Sequence, residues 1–238
     1  MPRQQAGNTG PMAYFSTETF DFLMDLEINN HKAWMDENRD RYETFVRDPL
    51  YAFCDDWAEP LKQNVSPHLV SVGRIQRGSV MQINRDVRFS DDKTPYRTSM
   101  AAYFRHAGGE GAVHAPGLYL HLEPGNCFFG GGVHSPPVKA LTPIRERIVD
   151  RTEEWDRVVE TLDEAGLELG GDKLKTSPQG FDSDHERIED LRRTSFVVMR
   201  PLTEDEVTSE GFIDLLLDRA KDTVPFMGFL AASYGLPF

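Results

Sequence analysis

The sequence predicts an α+β fold in a single domain: a mainly antiparallel sheet, with a β-hairpin at 117–133, packed against N-terminal and C-terminal helices. Two observations carry this. Apolar residues recur at helical spacing over 15–65, alternate or cluster in short runs over 68–133, and return to helical spacing after 137. Runs of strands flanked by runs of helices, rather than βαβ alternation, mark α+β. No linker or internal repeat divides the 238 residues, so residues 15–238 are expected to share one core.

Residues 1–14 are expected to form a short disordered leader, because MPRQQAGNTGPMAY has neither an apolar core nor more than one basic residue. Phe15-Ser16-Thr17 opens the first helix with a capping hydroxyl, and Phe20, Leu23, Met24 and Leu26 supply its apolar stripe up to Asn29-Asn30. A second helix is expected from His31 to about Arg47, and a third from Leu50 to Val65, where Leu50, Phe53, Cys54, Trp57 and Leu61 are spaced by three and four. After Pro67 the expected β-runs are 68–72, 80–84, 98–105, 117–123 and 127–133. The firmest is the pair around Pro124-Gly125-Asn126, since Leu118, Leu120 and Leu122 alternate with Tyr119, His121 and Glu123. Helical spacing resumes with Val138, Leu141, Ile144 and Ile148, continues through Trp155, Val158 and Leu162, and stops at Gly166. A polar stretch over 170–185, a strand over 195–199 and one or two helices over 206–234, broken at Pro225, complete the chain.

Charge and cysteine content narrow the function classes. A formal charge of −13 disfavours nucleic acid as a partner, because a phosphate backbone would meet a mostly acidic surface. No apolar run reaches the length of about 20 residues that spans a bilayer, so no membrane partner is expected and the expected location is the cytoplasm. Cys54 and Cys127 stand alone, outside any CxxC spacing, and read as buried free thiols. Neither an oligomeric state nor a cofactor can be read from these features. Locally the balance reverses: between Arg74 and Arg105 seven basic residues face three aspartates, a net +4 that leaves −17 for the rest of the chain. Such an island suits a pocket for a small anion.

The centre of that island is the candidate site. Between Asn84 and Met100, Arg85, Asp86, Arg88, Asp92, Lys93 and Arg97 surround Phe89 and Tyr96, and Thr94-Pro95 breaks the run, so the segment reads as a shaped loop between two β-runs. Arginine grips phosphate or carboxylate in bidentate fashion, and aspartate can orient it or act as a base. The same residues suit a structural ion-pair network, and the two readings stand side by side. His121 projects from the face opposite the leucines. Gly131 and Gly132, in a run of three glycines, would allow close approach of a ligand or simply of another strand. His106, His114, His121 and His134 lack any metal-ligand spacing, so no metal is expected. Asp182, Asp184, His185 and Glu186 read first as a helix cap.

Several ordered motifs, NNHKAW at 29–34, RDVRFSDDKTPY at 85–96, YLHLEPG at 119–125, GGG at 130–132 with Pro136 after it, PQGFDSDH at 178–185 and LRRTSF at 191–196, together resemble the domain of unknown function 2461 family over about 15–230. The resemblance implies a single α+β domain and carries no activity, cofactor or catalytic residue with it. This chain departs from the family pattern at Val133-His134, where an aromatic is usual, at Phe181 for tyrosine and at Glu186 for proline, while the charged loop is intact. The functional expectation is a soluble protein that binds or acts on a small anionic ligand of phosphate or carboxylate type. The site expected is Arg85, Asp86, Arg88, Asp92, Lys93, Tyr96, Arg97, His121, Gly131 and Gly132, with Arg85, Arg88 or Lys93 near His121 or the glycines. The alternative is a non-catalytic protein-interaction module whose basic loop is an internal ion-pair network. Whether the protein is an enzyme is left open.

Overall fold

A computed structural model describes residues 13–109 and 114–238, so most of the expected leader lies outside the described residues. Tyr14, at its end, packs edge-on against Phe53 at 5.5 Å and donates a hydrogen bond to Asp56. The helical first part comprises α1 (Thr17–Ile28), α2 (Lys32–Glu37), α3 (Arg39–Tyr42) and α4 (Asp48–Asn64). The expected continuous helix over 31–47 is interrupted. Asn38 caps α2 and its side chain folds back on the Trp34 carbonyl, and residues 43–47 form a π turn that runs directly into α4. Pro49 sits in the first turn of α4, where no intrahelical N–H bond is lost.

The sheet has the order β1-β2-β3-β5-β4 and is antiparallel throughout, with β1 at Met100–Phe104, β2 at Gly117–Leu122, β3 at Cys127–Val133, β4 at Leu169–Gly170 and β5 at Phe196–Leu202. The hairpin forms as its alternation predicts: Leu120 faces Phe129 across the pair, His121 faces Phe128, and Leu118, Leu120 and Leu122 are fully buried. Its turn has Pro124 at the second place and Gly125 at φ +69° at the third, closed by the Asn126 N–H on the Glu123 carbonyl at 2.9 Å. That is the arrangement of a type II turn.

The expected strands at 68–72 and 80–84 are instead single bridges, Leu69 to His106, Val80 to Ala102 and Asn84 to Tyr96. The Ser79 hydroxyl explains part of the difference. It donates to the Val70 carbonyl and accepts from the Val72 N–H, groups a ladder would otherwise use. These segments still cover the outer edge of β1, where Met81 N–H bonds the Ala101 carbonyl and Tyr103 N–H the Ser79 carbonyl.

After β3 come α5 (Val138–Asp150), α6 (Thr152–Glu164), α7 (Ile188–Leu191), α8 (Glu204–Val207), α9 (Phe212–Asp222) and α10 (Val224–Ser233). One face of the sheet is covered. Trp57 of α4 meets Phe104 at 4.6 Å and Phe129 at 5.9 Å, Phe53 meets Phe212 of α9 at 5.6 Å, and Trp155 of α6 meets Phe196 at 6.0 Å. The opposite face carries Tyr103, Tyr119, His121, Phe128 and Met199. Tyr103 is 39% exposed and Met199 52% exposed, against complete burial of the leucines behind them. This open face, beside the charged loop, is where a site can lie.

Candidate functional site on the open sheet face

The charged loop is clamped at its base. Arg85 N–H bonds the Pro95 carbonyl and Arg97 N–H the Ile83 carbonyl, each at 2.8 Å. Asn30, from the turn between α1 and α2, holds Tyr96 at both backbone groups: its amide donates to the Tyr96 carbonyl at 2.9 Å and its carbonyl accepts the Tyr96 N–H at 3.0 Å. Tyr96 itself is buried.

Within the loop, charges answer one another. Arg85 donates to Asp92 and Thr94. Arg88 takes both oxygens of Asp86, at 2.9 and 2.6 Å, and lies over the Phe89 ring at 5.8 Å. Lys93 donates to the Val87 carbonyl at 2.9 Å. The Thr94 N–H, then Arg85 and the Thr94 hydroxyl, pull the Asp92 carboxyl down to about 2, and Arg88 holds Asp86 below the usual carboxylate range.

The low Asp92 value makes the loop acid-labile. Because its folded-state value lies below the ordinary 3.8, the stabilisation is complete above about pH 4 and is lost as pH falls toward 2. Hydrogen exchange at the Thr94 amide, corrected for its intrinsic rate, is expected to lose protection over that interval. Protection maintained to pH about 2 would show that Asp92 does not hold the loop.

Arg97, at the loop's end, differs from its neighbours. It is exposed, and among the described residues its guanidinium makes no hydrogen bond or ion pair. Its charge acts on Tyr119 of β2. Thr98, next in the chain, donates to Glu123 at 3.3 Å, joining the loop to the hairpin. Glu123 also accepts from Asn126 at 2.8 Å and lies 3.3 Å from His121 Nε2, while His121 Nδ1 lies 3.4 Å from the Tyr119 hydroxyl. Phe128 stacks on the His121 ring at 4.8 Å. Burial opposes ionisation of Glu123, but the hydrogen bonds from Asn126, His121 and Thr98 together keep its carboxyl below the usual range. Burial raises the Tyr119 phenol, against the opposing pull of Arg97.

The structure thus joins part of the expected site and separates the rest. Tyr119, His121 and Glu123 share one face, and Arg97 lies near enough for its charge to act on Tyr119. Arg85, Arg88 and Lys93 make their side-chain hydrogen bonds inside the loop rather than to His121 or the glycines. The position of a Gly131 side chain would meet Leu118 and Met227 in the core, and that of Gly132 the Phe196 carbonyl. Tyr119 and Glu123, read only as neighbours of His121 on its strand face, were not among the expected site residues, and neither were Asn30, Thr98 and Asn126. Each of these last three acts across a turn or a long separation that no local pattern records.

A concavity of about 410 Å³ lies away from this face, between α6, β4 and α7, with Leu162 and Leu167 among its walls. Its cations are paired: Lys173 with Glu189, Arg187 with Asp156 and Arg193 with Asp190. His185 Nδ1 accepts the Arg187 N–H at 3.0 Å and Asp182 the Asp184 N–H at 2.9 Å, so the cluster turns the chain before α7 but, against expectation, supplies no side-chain cap to that helix.

Residues 18–229 match the family described as "Conserved hypothetical protein (DUF2461)". The chain belongs to this family. No curated protein and no solved structure matches it. On the structure, the DUF2461 motifs of this chain fall into two groups. Asn30, the charged loop and the hairpin meet around the open face, whereas the LRRTSF segment anchors the far side of the sheet, where Arg145 donates to the Leu191 and Arg193 carbonyls at 2.7 and 2.9 Å. No described helix is long and apolar enough to cross a membrane.

Proposed function

We propose that the protein binds a small anion of phosphate or carboxylate type on the open sheet face, with Arg97 supplying the charge and Tyr119 and His121 the neighbouring polar contacts. The observation that carries this reading is the exposed Arg97 guanidinium, without a hydrogen bond or ion pair among the described residues, whose charge acts on Tyr119 in a fixed aromatic and imidazole surface. In this reading Arg85, Asp86, Arg88, Asp92, Lys93 and Tyr96 shape and hold the loop. Guanidinium presents a planar fork of donors that matches both oxyanions, and a group with no internal carboxylate keeps that capacity for a ligand.

A ligand that binds only the native state raises stability by about 2.7 kcal/mol at a hundredfold excess over Kd, roughly 5 to 11 °C for a domain of this size. Sulfate or phosphate is therefore expected to raise Tm more than chloride at equal ionic strength. Arg97→Gln is expected to reduce the difference to what excluded anions confer in general, and Arg88→Gln to leave it whole. The variants separate site binding from the general stabilisation that excluded sulfate confers.

One observation favours the alternative of a non-catalytic interaction module. Phe89, at the loop tip, is 96% exposed beneath Arg88, and aromatic and arginine side chains are the usual anchors of protein interfaces. The internal pairing of Arg85 and Arg88 supports a structural role for that part of the loop. An anion response that is identical in wild type and Arg97→Gln would leave the interaction module as the better reading.

A further inference from the structure

We propose that Glu123, His121 and Tyr119 form a proton relay that makes the Tyr119 hydroxyl the reactive group of the open face. It acts on a ligand whose anionic end is held by Arg97, and to that extent rests on the binding reading above. The geometry supplies a direction for the relay. Residues 119, 121 and 123 share one side of the strand by alternation. Glu123 is fixed from two other elements, by Thr98 and Asn126. An ionised carboxylate only accepts, so the hydrogen between it and His121 resides on Nε2. That leaves the Nδ1 lone pair facing Tyr119, whose phenol, raised by burial, keeps its proton at neutral pH and donates it to Nδ1.

Phe128, stacked 19° from parallel, holds the imidazole plane. His121 is 15% exposed and Glu123 31% exposed at their side chains, shielded but within reach of a ligand. The order carboxylate, imidazole, hydroxyl is the order in which a weak nucleophile is activated by a base that a third group orients. Separations of 3.3 and 3.4 Å are long for hydrogen bonds, as those of catalytic groups often are before a ligand binds.

The charged group that meets His121 in this arrangement is Glu123 on its own strand, while Arg97 acts on Tyr119, the last member of the relay. The neighbours of His121 across the sheet, Ala101 on β1 and Phe128 on β3, are uncharged. Transfer of the Tyr119 proton to His121 creates an imidazolium beside the Glu123 carboxylate, so the charge formed is met by one already in place.

An aryl sulfonyl fluoride tests the relay without knowledge of a natural ligand. The Tyr119 oxygen attacks sulfur, the O–S bond forms as the S–F bond breaks, fluoride leaves, and the phenol proton passes to His121 Nδ1 and then to solvent. No oxidant or reductant is required. Two probes are used, neutral benzenesulfonyl fluoride and its 4-carboxylate, and labelling of each tyrosine is followed by peptide mass spectrometry. Tyr103, on the same face and 39% exposed, is the internal standard.

The neutral probe is expected to label Tyr119 roughly tenfold or more faster than Tyr103. Glu123→Gln and His121→Ala should bring Tyr119 down to the Tyr103 rate, and added imidazole should restore labelling in His121→Ala. A structural role alone would give no such rescue. Arg97→Gln should remove the preference for the carboxylate probe over the neutral one, and should slow both to the extent that the pull of Arg97 on the Tyr119 phenol is lost. Wild-type Tyr119 labelled no faster than Tyr103 overturns the relay whatever the variants do. Fast neutral labelling with no preference for the carboxylate probe retains the relay and overturns the anion-binding reading instead.

Discussion

Gly132→Ala is expected to cost about 4 kcal/mol or more, enough to unfold a domain of ordinary stability or bring it close to unfolding. Gly132 has φ +129°, a backbone conformation that L side chains rarely adopt, and a Cβ built there would lie 2.1 Å from the Phe196 carbonyl oxygen and 2.9 Å from the Val197 Cα. Both obstacles are backbone of β5, hydrogen-bonded to β3 over seven residue pairs, so relief requires the two central strands to separate. The neighbouring glycines grade the effect. At Gly131 the nearest atoms are the ends of Leu118 and Met227, flexible side chains that can shift, and about 1 to 3 kcal/mol is expected. At Gly125, in the hairpin turn, a Cβ meets nothing within 4 Å, leaving only the left-handed strain of about 1 to 2 kcal/mol. Chemical denaturation of the three alanine variants measures the series. A Gly132→Ala midpoint equal to that of Gly125→Ala would mean that β3 and β5 do not approach as closely as the structure has them. The triple glycine is then explained by strand packing, which needs no ligand.

The legible parts of this chain were those whose signal is local and periodic. Leu118, Leu120 and Leu122 announce both the strand and its buried side, and Pro124-Gly125 announces the turn, because alternation and turn chemistry act over a few residues. The strands expected at 68–72 and 80–84 have the right apolar content, but in the first a competing partner, the Ser79 hydroxyl, takes backbone groups of Val70 and Val72 that a ladder would use. Strand β4 is two residues long and has no period to read.

The charged loop could be recognised as shaped by its mixture of arginine, aspartate and aromatics. Which arginines are satisfied could not. Arg88 pairs with Asp86 two residues away, Arg85 with Asp92 seven away, and Arg97 with neither, although composition presents all three alike. The clamp from Asn30 to Tyr96 spans 66 residues and the bond from Thr98 to Glu123 spans 25. Contacts of that kind depend on how separate elements dock, and the proposed placement of the site at the base of the loop rests on them.

Asp190→Ala is expected to destabilise the protein by about 3 to 5 kcal/mol, because it leaves two buried donors without their acceptor. Asp190 Oδ2 accepts from Trp155 Nε1 at 2.8 Å, and Oδ1 accepts from Arg193 Nε at 3.2 Å. The Trp155 residue is fully buried, and the Asp190 and Arg193 side chains are only 12% and 11% exposed. Arg193 is further committed to the Leu169 and Gly170 carbonyls, at 2.8 and 3.1 Å, so it cannot swing to water when the carboxylate is removed. These bonds tie α7 to α6 and to β4, the short strand that β5 alone supports. Asp190→Asn keeps an acceptor for Trp155 while removing the charge that offsets Arg193, and a smaller loss, about 1 to 3 kcal/mol, is expected of it. Trp155→Phe preserves most of the ring volume but leaves Asp190 one donor short. If Trp155 and Asp190 act through their shared bond, the double variant Trp155→Phe, Asp190→Asn should cost less than the two single losses added together. Urea midpoints at unchanged slope give all three values. Strict additivity, or a cost for Asp190→Ala below about 1 kcal/mol, would show that this buried pair packs without contributing to the junction of α6, α7 and the sheet.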